Sequence, residues 1–160
     1  MTREMRPSRW FAAVALVSFA AVGAALISQH GFDMQPCPWC VLQRAIFVSI
    51  TLAALPGLLL RQAAARRFSA ALILLLAVAG MAAALWQHFV AASSNSCKLT
   101  LADRVVSGLG LDNLLPQVFA AYASCAEAAA KLAGVPYELY SLTLFIVLGL
   151  VAARVLRRPL

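Results

Sequence analysis

Residues 10–28 read WFAAVALVSFAAVGAALIS and contain no charged side chain. A helix of about 20 mainly apolar residues is long enough to cross the hydrocarbon core of a bilayer. Three further apolar stretches follow at 41–60, 68–90 and 139–155. The sequence therefore predicts an all-α membrane protein, a single domain over residues 1–160 built on a bundle of four transmembrane helices.

The composition supports a membrane protein. Hydrophobic residues make up 63% of the 160 residues and charged residues 12%, against about 45–50% and about 25% in soluble domains. The net charge of +7 does not indicate nucleic-acid binding, because the basic residues are neither interleaved with aromatic side chains nor collected in one patch. We expect membrane lipid around the chain and no nucleic-acid partner.

The basic residues predict the orientation of the bundle. Nine of the thirteen lie before the first span, between the second and third, or after the fourth: Arg3, Arg6, Arg9, Arg61, Arg66, Arg67, Arg154, Arg157 and Arg158. Loops rich in Lys and Arg stay in the cytoplasm. Both termini are therefore expected in the cytoplasm, with the loops 29–40 and 91–138 on the other side of the membrane.

The first apolar stretch has an alternative reading as a cleaved secretory signal, since it follows three arginines. Signal cores usually span about 7–15 residues and end at a cleavage site with small residues. This stretch is longer and ends in Ser28-Gln29-His30. We therefore interpret it as a retained transmembrane helix.

Cys37-Pro38-Trp39-Cys40 ends the first loop, where the second apolar stretch begins. Two residues between cysteines is the spacing of reversible disulfide chemistry. Cys40 lies close to the predicted helix start, where free backbone N–H groups stabilise a thiolate. Arg44 follows at i+4 on the same helix face, and its charge favours the same thiolate. Cys40 is thus the predicted activated thiolate, while headgroup anchoring is the alternative role for Arg44.

The second cysteine pair, Cys97 and Cys125, lies in the long loop. A bridge between them can simply staple that loop. With Cys37 and Cys40 on the same side of the membrane, it can also exchange with them through a mixed disulfide. Four thiolates can instead bind zinc, but the second pair lacks short ligand spacing and this compartment favours disulfides. No metal is expected.

The candidate electron acceptor is a lipid-soluble quinone. A dithiol releases two electrons and two protons, and the chain contains no motif for a soluble cofactor. Gln87 and His88 lie at the outer end of the third span, at a depth similar to Cys40 and Arg44. We predict that they contact the acceptor or pass protons, with helix capping or contact with water as alternatives; His30 is a weaker candidate. Residues 108–119 are apolar enough to lie on the membrane surface, and a loop core without membrane contact is the alternative.

The stretches CPWCVLQR at 37–44, LPQVF at 115–119 and CAE at 125–127, with Cys97 between the first two, resemble the DsbB family, disulfide bond formation protein B. The resemblance implies an enzyme of the bacterial inner membrane with periplasmic cysteine loops. Such an enzyme reoxidises DsbA, a periplasmic thioredoxin-fold protein, and passes electrons to ubiquinone or menaquinone. By the same resemblance, DsbA attacks Cys97, Cys125 resolves towards Cys37, and Cys40 reduces the quinone beside Arg44.

Three other readings stay open from the sequence. A membrane scaffold with two inert disulfides would need no electron acceptor. A vitamin K epoxide reductase-like enzyme also has four helices and paired cysteines, but its CxxC motif lies late in the chain. A specialised paralogue serving another thiol partner differs only in loop surfaces, and the type of quinone is likewise open.

Overall fold

The computed structural model describes residues 7–93, 100–128 and 131–157. Its α-helices are α1 (Pro7–Gly31), α2 (Pro38–Leu59), α3 (Ala63–Phe89), α4 (Leu101–Gly108), α5 (Leu111–Leu114), α6 (Pro116–Phe119) and α7 (Tyr137–Arg157), and a short 3₁₀ helix (Ala91–Ser93) follows α3. Among them, α1, α2, α3 and α7 are long and apolar enough to cross a membrane. The predicted all-α membrane bundle of four helices is confirmed.

The bounds of the four long helices differ from the predicted spans by one to five residues. Helix α3 begins at Ala63 rather than at residue 68, because Arg66 and Arg67 are good helix formers and extend its first turn. Helix α2 begins at Pro38 rather than at residue 41, because proline fits the first position of a helix. The second shift puts Cys40 inside the first turn of α2, with Cys37 as its N-cap.

Contacts at the helix ends give the direction of the chain through the bundle. The end of α1 meets the start of α2 through Gln29 and Arg44, and the end of α3 meets the start of α7 through His88 and Glu138. The long helices therefore alternate in direction. The segments around Arg9, Arg61 and Arg157 consequently lie at the end of the bundle opposite the cysteines.

Small residues allow the long helices to approach closely. A Cβ atom on Gly80 of α3 would lie 2.5 Å from the ring of Phe145 of α7, and that ring stacks on Phe47 of α2 with 4.2 Å between centroids. Helices in lipid associate through such close packing, since burial from lipid brings no hydrophobic gain. Phe145 therefore joins three helices in the middle of the bundle.

The long loop forms a small layer over the start of α2. Helix α4 begins with a capping box between Thr100 and Asp103, and Val106 packs with Phe119 against Val41. The apolar residues Leu101, Val105, Leu109, Leu114 and Leu115 stay exposed. The membrane-surface position of residues 108–119 stays a prediction.

One element departs from an entirely helical chain. Strands β1 (Lys131–Leu132) and β2 (Val135–Pro136) pair antiparallel. The turn between them has positive φ at Ala133 and Gly134, as a tight two-residue hairpin requires. This hairpin leads the long loop directly into α7.

Replacing Gly80 with alanine is expected to destabilise the bundle by about 1–3 kcal/mol, because the new methyl group must displace the Phe145 ring. The matched control is Gly23→Ala in α1, where nothing lies within 4 Å of the new Cβ, and alanine should be neutral or slightly stabilising. Thermal unfolding of both variants in detergent micelles measures the difference. Equal unfolding midpoints would contradict the packing described at Gly80.

Candidate active site

The first cysteine pair is preorganised by the start of α2. Cys37 has an extended backbone (φ −87°, ψ 167°), and its Sγ accepts a hydrogen bond from the backbone N–H of Cys40 at 3.4 Å. The two Sγ atoms are 3.1 Å apart, and Cys37 is fully buried. The helix start thus holds both thiols at a distance from which a disulfide can form.

The long loop brings a third thiol to this pair. The backbone N–H groups of Tyr122 and Ala123 donate to the carbonyl of Pro36 at 3.0 and 3.3 Å, and Cys125 is buried in the same core cluster as Cys37. Interaction with the Cys125 thiol, the contact with Cys40 and burial all raise the pKa of Cys37. The hydrogen bond from Cys37 in turn lowers the pKa of Cys125.

Cys97, the fourth predicted cysteine, lies outside the described residues. The structure therefore brings together three of the four cysteines, and Cys37 lies between Cys125 and Cys40. In the described part of the chain, no group of three or more His, Cys, Asp or Glu side chains has the arrangement of a metal site.

Gln87 contacts the sulfur of Cys40. Its Nε2 donates to Cys40 Sγ at 3.2 Å, and its Oε1 accepts a hydrogen bond from Gln43 Nε2 at 2.7 Å. Both glutamines are buried. The bond from Gln43 fixes the orientation of the Gln87 amide, so that its NH₂ group faces the sulfur. Sequence reasoning gave Gln43 no role in the site, although a polar residue one turn after Cys40 in an apolar helix was the available signal.

Arg44 is buried, and in the described residues its hydrogen bonds go to partners other than Cys40. Its Nη1 donates to Gln29 Oε1 at 2.6 Å and to the carbonyl of Val118 at 3.1 Å, and Nη2 donates to the carbonyl of Ala25 at 3.4 Å. All three acceptors are neutral oxygens. Gln29, which sequence reasoning also missed, is the α1 partner that holds the guanidinium.

A cavity of about 760 Å³ lies between α1 and α7, with α2 as its floor. It exists because α1 packs on α2, and α7 on α3, far more extensively than α1 and α7 pack on each other. The walls include Ala21, Ala25, Cys40, Gln43, Arg44, Phe47, Gln87, Glu138, Tyr140 and Leu144. A volume within the range of about 300–1,000 Å³, with apolar walls and a few polar groups, is typical of a small-molecule site.

His88 does not line this cavity, and its predicted contact with an acceptor stays a prediction. Its Nδ1 lies 2.9 Å from Oε1 of Glu138, which does line the cavity. The reason is register: along α3, Gln87 points inward and is buried, whereas the His88 side chain remains 32% exposed. The other histidine, His30, is exposed at the end of α1.

Three thiols cluster at one end of the helical membrane bundle, beside an apolar cavity. This arrangement is typical of a membrane protein that carries out thiol–disulfide exchange. The family model described as "Disulfide bond formation protein DsbB" matches residues 7–155. The chain belongs to the DsbB family.

Individual relatives match over most of their length. Disulfide bond formation protein B of Cupriavidus metallidurans is 34% identical over 145 residues, which cover 90% of this chain and 89% of that protein. The protein of the same name from Ralstonia nicotianae is 34% identical over 149 residues, covering 88% of each. Disulfide bond formation protein B 1 of Pseudomonas syringae pv. syringae is 30% identical over 156 residues, covering 95% of this chain and 91% of the relative.

In the fully reduced protein, Cys125 should be alkylated at lower pH than Cys37. The lowered pKa of Cys125 makes its thiolate form first as pH rises, whereas the raised pKa of Cys37 keeps that residue a thiol, and only the thiolate reacts with iodoacetamide. Peptide mass spectrometry after timed labelling across pH reads each site separately. The detergent-unfolded protein is the control, in which both sites should label alike; the same result in the folded protein would contradict the described cluster.

Proposed function

We propose that this protein is a quinone-dependent thiol–disulfide oxidoreductase of the bacterial inner membrane. It reoxidises a DsbA-like periplasmic thioredoxin-fold protein and passes the electrons to ubiquinone or menaquinone. The observation that carries the proposal is the position of Cys40, which lies 3.1 Å from Cys37 and also lines the interhelical cavity. One sulfur thus belongs to both the thiol cluster and the candidate acceptor site.

The proposed relay begins at the long loop. The partner's thiolate attacks Cys97 of a Cys97–Cys125 disulfide, as the family resemblance implies, and a second partner thiolate then closes the partner's own disulfide. The released Cys125 thiolate attacks Cys37, opens the Cys37–Cys40 disulfide and leaves Cys40 as the thiolate. Attack of Cys97 on Cys125 then restores the loop disulfide and leaves Cys37 and Cys40 reduced. The clustering of Cys125 with Cys37 supports the central exchange.

The cavity fits a quinone ring in size and chemistry. A bound quinone would accept two electrons and two protons. Arg44 supplies a buried positive charge whose hydrogen bonds in the described residues all go to neutral oxygens, so it favours an electron-rich oxygen nearby. Gln87 holds the Cys40 sulfur at the cavity wall. The loose contact between α1 and α7 supports entry from the lipid.

The proposed orientation puts the cysteine end in the periplasm. Basic residues concentrate at the opposite end of the bundle, which favours a cytoplasmic location for that end. An extracytoplasmic compartment also favours formation of disulfides. An inert membrane scaffold is the weaker alternative. Disulfides that only stabilise the loops would not need Cys125 of the long loop to lie against Cys37 and Cys40 of the first loop and α2.

The test mixes the purified full-length protein with reduced DsbA and either ubiquinone or menaquinone and follows quinone absorbance. Cys40→Ser should abolish quinone reduction, and Cys97→Ser should block electron uptake from DsbA. Arg44→Ala should raise the KM for quinone about ten-fold or more, since hydrogen bonds to charged groups contribute about 1.5–3 kcal/mol, while the initial exchange with DsbA stays unchanged.

The matched control is Arg154→Ala, which should behave like the wild type. Arg154 is exposed and lies near the end of α7 that is far from the cysteines. Quinone reduction that persists in Cys40→Ser would overturn the proposal. Equal and mild effects of Arg44→Ala and Cys97→Ser would refute their separate roles. Oxidation of a different thiol protein in preference to DsbA would identify a specialised paralogue.

A further inference from the structure

Glu138 is a buried carboxylate inside the membrane bundle that the thiol relay does not use. It is 7% exposed, lines the cavity and lies 2.9 Å from His88, whose side chain is 32% exposed. We propose that His88 and Glu138 form a proton-transfer route from the outer surface of the bundle to the cavity. This inference rests on the proposed function, because it gives the same cavity its source of protons.

The pair joins a partly exposed imidazole to a buried carboxylate on the cavity wall. Nδ1 of His88 faces Oε1 of Glu138, and the partly exposed ring leaves the histidine accessible from outside. Imidazole can accept a proton on one ring nitrogen while it releases one from the other. A proton that enters at His88 Nε2 can therefore leave from Nδ1 to the Glu138 carboxylate, which holds it at the cavity wall.

A purely structural role explains these residues less well. The pair does link α3 to α7, yet replacement of a buried ionic pair by well-packed apolar residues is often neutral or stabilising. Ionisable groups inside membrane bundles are costly and usually mark ion or proton pathways. The N-terminal turn of α7 offsets part of this cost, since its backbone N–H groups favour a carboxylate there.

The stoichiometry of the reaction calls for such a route. Reduction of a quinone to a quinol consumes two electrons and two protons, and oxidation of the partner dithiol releases the same numbers. Both electrons come from Cys37 and Cys40 as these residues return to a disulfide; the Cys37 thiol releases one proton, but the Cys40 thiolate releases none. At least one proton must therefore come from another group, and Glu138 is a buried carboxylate on the cavity wall.

Other groups facing the cavity can influence the titration of this pair. The charged and titratable side chains along its walls are Asp33, Cys40, Arg44, Glu127, Tyr137 and Tyr140. Glu127 already accepts hydrogen bonds from the backbone and hydroxyl of Ser124, which lower its pKa.

The first test needs no quinone. Infrared spectra of the protein in lipid, recorded across acid pH, should contain a protonated carboxyl band that is lost in Glu138→Gln. After transfer to D₂O, that band should shift at least about ten-fold more slowly in His88→Asn than in the wild type. His30→Asn is the matched control, because His30 is exposed at the end of α1, and it should exchange like the wild type.

The second test separates the two half-reactions. Glu138→Gln should slow reduction of a short-tailed ubiquinone by the pre-reduced protein by about ten-fold or more, as general acids contribute about 10²–10⁴-fold. Quinone affinity and the quinone-free exchange with reduced DsbA should be unchanged. Glu138→Asp should recover part of the rate. The control is Asp112→Asn, which should have no effect on quinone reduction, because the Asp112 carboxylate lies in the long loop and accepts a hydrogen bond from Ser107.

The outcomes distinguish the two proposals. If the wild-type protein does not reduce quinone, the proposed function is overturned. The proposal that His88 and Glu138 supply protons for quinone reduction is then overturned as well. A wild type that reduces quinone, alongside a folded Glu138→Gln variant with the same rate, overturns the proton route alone. Exchange in His88→Asn as fast as in His30→Asn also overturns it. Lowered thermal stability with unchanged rates identifies a structural clamp.

Discussion

The buried guanidinium of Arg44 is the interaction on which the arrangement of this site depends. Its hydrogen bonds join α2 to α1 through Gln29 and Ala25, and to the long loop through Val118. A charge at this depth must find polar partners, because the surrounding lipid and apolar side chains offer none. The contact with Val118 joins the long loop to α2, close to the helix start where Cys125 reaches Cys37.

The polar groups at this end of the bundle form a connected layer rather than isolated contacts. Gln43 orients Gln87, Gln87 donates to Cys40, and the backbone of α2 positions Cys40 against Cys37. Buried polar networks are stable only when their members are satisfied, and such networks restrict the alternatives available to each side chain. The central section of the bundle is held differently, by glycine and aromatic packing around Phe145.

The packing of the helices also explains where a ligand can enter. Each of α1 and α7 has one main neighbour, and the space left between them over α2 becomes the cavity. Its floor carries Cys40 and Arg44, whereas Glu138 belongs to its α7 wall. In the proposed function, electrons and protons would therefore reach one space from different helices, with the thiol cluster apart from the His88–Glu138 pair.

The sequence by itself determined the membrane class, the four spans and the end of the bundle that carries the cysteines. Those features follow from runs of apolar residues and from charge placement, which act locally along the chain. The i,i+4 spacing also put Arg44 beside the first turn of α2, but spacing alone does not decide which acceptors a long side chain selects. Only the tertiary structure assigned Gln29 to Arg44, Gln43 to Gln87 and Glu138 to His88, because each pair joins residues on different helices. The meeting of Cys125 with Cys37 depends in the same way on how the loop folds back across the bundle.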